Sequence, residues 1–242
     1  MSPLSRIVIA AVAATALTGA DLARAAPAEA GGRLYAIGDS WAAGYGADPI
    51  HALLQDAADD LGMTAVVDGE GGSGYLTAPP GTRTYPQRAA SVPAGTAADI
   101  VVVQGGSNDD LADLGALPAA VDATIEGVHR SLPHAAIVLL GPGPDPWPVT
   151  AVQLRVDRII AAEAGRLHVR YVSPLREGWF TGQDIDTIID PVTLHPSVAG
   201  DEILGARFAA DLRPLHHRHP ARVATRSGAG AARRALKRQR RA

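Results

Sequence analysis

The run Asp99-Ile100-Val101-Val102-Val103-Gln104, followed at once by Gly105-Gly106, constrains the fold more than any other stretch of the chain. Its apolar residues are consecutive, with no inward–outward alternation, so the strand they form must be covered on both faces. Central strands of parallel sheets have that property. Four further short runs read as strands: Leu34 to Ile37, Thr64 to Val67, Ala136 to Leu140 and His168 to Val172. Helical spacing separates them. Asp48 to Leu61 carries Ile50, Leu53, Leu54, Ala57, Ala58 and Leu61 in that pattern, and Leu111 to Leu132 reads as a helix with Pro118 near its first turns. Val149 to Gly165 places Val152, Val156, Ile159 and Ile160 on one side, and Ser197 is placed to cap a last helix through Leu212, stopped by Pro214. Strands alternating with helices define an α/β class with a parallel sheet. The pattern alone does not set the strand order.

At 242 residues and 47% hydrophobic content the chain can bury one α/β core, and it shows no internal repeat and no second domain. It has no cysteine, which excludes disulfides, thiolate metal sites and cysteine nucleophiles together. Arg6 precedes an apolar run from Ile7 to Leu17, and Ala23-Arg24-Ala25 forms a small-x-small cleavage site. Residues 1–25 are therefore expected to be a signal peptide and 26–32 a leader, with the working protein secreted or in the cell envelope. The main domain is expected over 33–215. Beyond it, nine of the 22 Lys and Arg residues lie from His216 onward with no Asp or Glu, leaving 13 basic against 25 acidic residues before that point. Residues 216–242 are expected to form a disordered basic tail suited to anionic envelope polymers, with no nucleic-acid partner expected.

Several loops carry candidate chemistry. Gly38-Asp39-Ser40 ends the first strand, followed by Gly44-Tyr45-Gly46. The loop Gly69-Glu70-Gly71-Gly72-Ser73-Gly74 matches the spacing of a dinucleotide fingerprint, but Pro79, Pro80 and Gly81 follow where the required helix would start. It is also not a nucleophile elbow, which needs glycine where Tyr75 stands. Gly106-Ser107-Asn108-Asp109 closes the third strand, and Val192-Thr193-Leu194-His195-Pro196 precedes the last helix.

These four blocks, in this order, resemble the GDSL-type esterases, also called SGNH hydrolases, over about residues 33 to 212. The resemblance implies a flavodoxin-like three-layer α/β/α sandwich with strand order 2-1-3-4-5. It further implies Ser40 as nucleophile and His195 as general base. An oxyanion hole would comprise the N–H of Ser40, the N–H of Gly72 (or Gly74) and the side-chain amide of Asn108. The family's acid stands three residues before the histidine, where this chain has Val192. Asp190 is then the candidate to orient the imidazole, with a backbone carbonyl as the alternative and Asp184 or Asp186 as more distant ones. Trp147 and the Trp179-Phe180 loop either shape the substrate pocket or simply anchor loops. The expected chemistry is hydrolysis of carboxylic esters, with O-acetyl glycans or short-chain and aryl esters as substrates, needing no cofactor or metal. An acyltransferase on the same fold and a silent envelope-binding module are the rivals.

Overall fold

The computed structural model describes residues 32–46, 51–144, 148–182 and 185–217. Its five strands are β1 (Arg33–Gly38), β2 (Thr64–Gly69), β3 (Ile100–Gln104), β4 (Ala136–Leu140) and β5 (Arg170–Val172). They form one sheet in the order β2-β1-β3-β4-β5, every neighbouring pair parallel. This is the α/β class and the order that the resemblance implied. From β1 the chain moves outward to β2, then crosses back to β3 on the other side. The connections leaving β1 and β3 thus diverge and open a crevice at their carboxyl ends, the usual place for a ligand in such sheets.

Among the described residues, six α-helices cover the sheet: α1 (Leu53–Asp60), α2 (Tyr85–Ala90), α3 (Leu117–Ser131), α4 (Ala151–Arg166), α5 (Ile185–Ile188) and α6 (Val198–His216). Alternate β1 residues face opposite layers. Leu34 and Ala36 pack with Leu53, Leu54, Leu204 and Phe208 of α1 and α6, whereas Tyr35 and Ile37 pack with Tyr85, Val121, Ile125 and Ile160 of α2, α3 and α4. Within β3, Ile100 to Val103 are fully buried, as a strand covered on both faces must be.

Local chemistry moves several boundaries from where the spacing put them. The third helix begins at Leu117 rather than Leu111, because Pro118 lacks an N–H and fits only a first turn. Thr150 caps α4 in a reciprocal box with Gln153, so that helix starts at Ala151. Ser197 does cap α6, accepting from the Gly200 N–H at 3.0 Å. Pro214, however, does not stop it: the helix runs two residues further, to His216, since a proline this close to the end forfeits only one hydrogen bond. Two short helices, α2 and α5, have no counterpart in the sequence reading. Trp147, Asp184, the signal peptide, nearly all of the leader and residues 218–242 of the tail lie outside the described residues. Among those described, no helix is long and apolar enough to cross a membrane.

Candidate active site

At the carboxyl end of β1 the chain folds back on itself over Asp39 to Tyr45. Asp39 is buried, and its Oδ1 accepts the Trp41 N–H at 2.9 Å, closing a turn with Ser40 at its apex. Burial pushes the Asp39 carboxyl up to about 6, against the opposing pull of the Trp41 N–H. The Ala43 N–H donates to the Asp39 carbonyl and the Tyr45 N–H to the Ser40 carbonyl, both at 3.0 Å, which locks the turn behind the serine.

His195 comes to this serine from the opposite end of the chain. Its Nε2 lies 2.7 Å from Ser40 Oγ, and its Nδ1 lies 2.6 Å from the Thr193 carbonyl oxygen. A carbonyl only accepts, so Nδ1 carries the proton and Nε2 turns its lone pair toward the serine hydroxyl. That is the tautomer a general base needs. Asp190 does not touch the ring. Its Oδ1 accepts the N–H groups of Val192 and Thr193, each at 2.8 Å, and these two donors hold its carboxyl below the usual carboxylate range. Asp190 also donates its N–H to the His195 carbonyl and accepts from the Leu194 N–H, both at 2.8 Å. Leu194 adopts φ +59°, a left-handed conformation costly for a leucine, and this reversal swings the Thr193 carbonyl back under the imidazole. Asp190 therefore acts on the loop, and the loop acts on the ring. Asp186 lies in α5, at some remove in sequence from this turn.

The glycine-rich loop after β2 reaches both Ser40 and Asn108. The Glu70 N–H donates to the Gly38 carbonyl at 3.0 Å, and a Cβ on Gly71 would stand 3.8 Å from the Ser40 Cβ. Gly72 takes φ +71°. Among the described residues, the N–H groups of Ser40, Gly71 and Gly72 meet no protein acceptor, whereas the Gly74 N–H is occupied by the Thr77 carbonyl at 2.8 Å. Gly74 is glycine for another reason: a Cβ there would run into the Asp109 carboxylate. That buried carboxylate accepts the N–H groups of Tyr75, Leu76 and Thr77 at 2.8 to 3.0 Å. Burial nonetheless raises its pKa. Asn108 Nδ2 donates to the Ser73 carbonyl at 2.9 Å, which orients the amide.

Arg88 escaped the sequence reading altogether. It is fully buried in α2, with one Nη donating to the Asp68 carbonyl and the other to the Gly38 carbonyl, each at 2.7 Å. The second Nη also reaches Ser73 Oγ at 3.2 Å. One guanidinium thus ties together the ends of β1 and β2 and the glycine-rich loop. The usable signal was the helix start: Thr84-x-x-Gln87 is a capping box, with Pro86 in the first turn. Trp179 and Phe180 are buried anchors. Together with Trp41 they line a cavity of about 10 Å³, which has room for a single water.

A doubly wound α/β sandwich bearing a Ser–His pair, an amide and a glycine loop at its switch point defines a serine-hydrolase type of protein. The GDSL-like Lipase/Acylhydrolase family matches residues 36–203, and the chain belongs to that family. It is 29% identical over 116 residues to a GDSL lipase of Mycobacterium tuberculosis, a match that spans 46% of this chain and 48% of the relative, about half of each. Among solved structures, a carbohydrate esterase family 2 enzyme of Corynascus thermopiles (Myceliophthora fergusii) superposes with TM-score 0.62 at 23% identity, covering 79% of this chain and 68% of that one. A salicylyl-acyltransferase from a tetracycline biosynthetic pathway superposes with TM-score 0.60 at 19% identity, covering 76% and 55%. Both of these likenesses concern the fold.

Proposed function

We propose that the protein hydrolyses carboxylic esters through a Ser40–His195 dyad and an acyl-enzyme. The observation that carries this reading is the 2.7 Å Ser40 Oγ–His195 Nε2 contact, with Nδ1 held by a carbonyl that can only accept. Ser40 Oγ bonds to the ester carbonyl carbon while its proton passes to Nε2. The carbonyl oxygen takes the negative charge, stabilised by the N–H of Ser40, the N–H of Gly72 and the Asn108 amide. Gly71, whose N–H is equally open and whose α-carbon faces the Ser40 side chain, joins them as a candidate donor. Collapse breaks the bond to the alcohol oxygen, which leaves with the proton from His195. Water then gives a proton to His195, attacks the acyl carbon and releases the acid, and Ser40 regains its proton.

We further propose export, on the strength of Arg6, the Ile7–Leu17 run and Ala23-Arg24-Ala25, with the basic tail holding the enzyme near anionic envelope polymers. Small O-acyl groups on glycans, or short-chain and aryl esters, are the substrates that this setting favours. The test of the dyad is hydrolysis of p-nitrophenyl acetate by the protein and by Ser40→Ala across pH. Turnover that is lost in the variant and rises with deprotonation of an imidazole is the expected result. Equal rates in both would discard the dyad. Product analysis with an added alcohol separates hydrolysis from acyl transfer.

A further inference from the structure

The reaction just proposed fixes where the alcohol half of the ester must lie. His195 Nε2 has to hand its proton to the departing oxygen, so the alcohol sits within hydrogen-bond reach of the imidazole, on the histidine side of Ser40. The ring that borders the imidazole is Tyr45, with centroids 4.7 Å apart and planes inclined by 59°. Tyr45 is 63% exposed. Its backbone is flanked by Gly44 and Gly46, both in the left-handed region, and a Cβ on Gly46 would crowd Thr193 Oγ1 and His195 Cβ at 3.1 and 3.2 Å. The chain thus presses an aromatic ring against the base and leaves most of it open to solvent. Val192 and Leu194, on the histidine loop itself, are exposed and apolar as well.

We infer that Tyr45 is the floor of the leaving-group subsite, selecting alcohols that present a flat ring, aromatic or pyranose, to its exposed face. This rests on the dyad reading above. Exposed aromatic side chains bind such rings through offset stacking and C–H contacts, and the interaction is worth about three- to tenfold in binding. Because the alcohol has departed before deacylation, the preference belongs to kcat/KM and to the alcohol alone.

The experiment compares Tyr45→Ala and Tyr45→Phe with the unaltered chain on phenyl acetate, trifluoroethyl acetate and methyl 6-O-acetylglucopyranoside. These share an acetyl group and differ in the alcohol. The ratio of kcat/KM for a ring ester over trifluoroethyl acetate should fall about three- to tenfold in Tyr45→Ala and persist in Tyr45→Phe. A fall on the phenyl ester alone assigns the subsite to aryl alcohols, and a fall on the sugar ester assigns it to glycans. An equal loss on all three esters overturns the subsite and leaves Tyr45 as a support for His195. Absence of turnover by the unaltered chain on every ester overturns the dyad reading along with it.

Discussion

The Nδ1 of His195 stands 2.6 Å from the carbonyl oxygen of Thr193, two residues earlier in the chain. A main-chain carbonyl carries no full charge. It sets the tautomer as firmly as a carboxylate does, but it stabilises the imidazolium of the transition state less. What it offers instead is insensitivity to pH, because a carbonyl does not titrate.

Replacing Asp190 follows from this. Asparagine retains an oxygen for the Val192 and Thr193 N–H groups, so Asp190→Asn should keep kcat within about tenfold, and Asp190→Ala, which unties the turn, should cost more. A carboxylate bonded to the ring would behave otherwise, since the corresponding Asp→Asn change in a true triad costs roughly 10⁴. Steady-state kinetics on one aryl ester decide it: a drop of that size in Asp190→Asn would return Asp190 to the ring.

Arg88 should report on the site as well as on stability. Arg88→Met takes one donor from the Gly38 carbonyl, which keeps the Glu70 N–H, and one from the half-buried Asp68 carbonyl, at a cost of about 1–3 kcal/mol. Measured at low temperature, where the variant is still folded by circular dichroism, kcat should fall at least about tenfold with KM little changed, the pattern of lost transition-state contacts. Full kcat in the folded variant would leave Arg88 with a purely structural role.

Two glycine substitutions should differ in sign. A methyl group at Gly74 meets the Asp109 carboxylate, so Gly74→Ala should displace the glycine-rich loop and lower both activity and melting temperature. Gly165, in α4, has open space around its missing Cβ and no left-handed φ. Gly165→Ala should stabilise by about 0.5–1 kcal/mol, read as a small rise in melting temperature at unchanged activity.

Asp201 gives a pH prediction. It is buried in the first turn of α6, and its Oδ1 accepts the Leu53 N–H at 3.0 Å. Burial, helped by nearby Asp56, pushes its carboxyl up to about 8, well above the value of an unfolded chain. Its contribution to stability is therefore complete below the unfolded pKa of about 4 and is lost as pH rises through about 8. Asp201→Asn keeps the acceptor and removes the titration. Urea melts at pH 5, 7 and 9 should show the variant gaining on the parent by at least about 1.4 kcal/mol across that range. A constant difference would mean that Asp201 does not titrate there.

The sequence displayed the sheet because four of its strands are short apolar runs ended by glycine or a polar residue, β3 the clearest of them; β5, Arg170-Tyr171-Val172, is the exception. Ser40, Asn108 and His195 were legible as motif residues at strand and loop ends. The loop mechanics were not. Thr193 takes part through its backbone, which every residue shares, so no motif singles it out. Asp190 sits one turn away from the role its side chain suggested. Arg88 carries no motif, since burial of an arginine depends on three carbonyl and hydroxyl oxygens that only the folded chain brings together. The rule that a proline stops a helix describes helix interiors, and Pro214 lies in the final turn.

Asp201 also joins the two ends of the protein. The helix that follows the Ser40 turn receives its N-terminal cap from the helix that follows His195, 148 residues later. During synthesis the serine emerges with most of the protein still to come, and α1 lacks its cap until α6 arrives. Docking of the last helix therefore completes the N-terminus of α1 and sets the His195 loop against the Ser40 turn together. On the dyad reading, a chain truncated before α6 is expected to be inert rather than partly active.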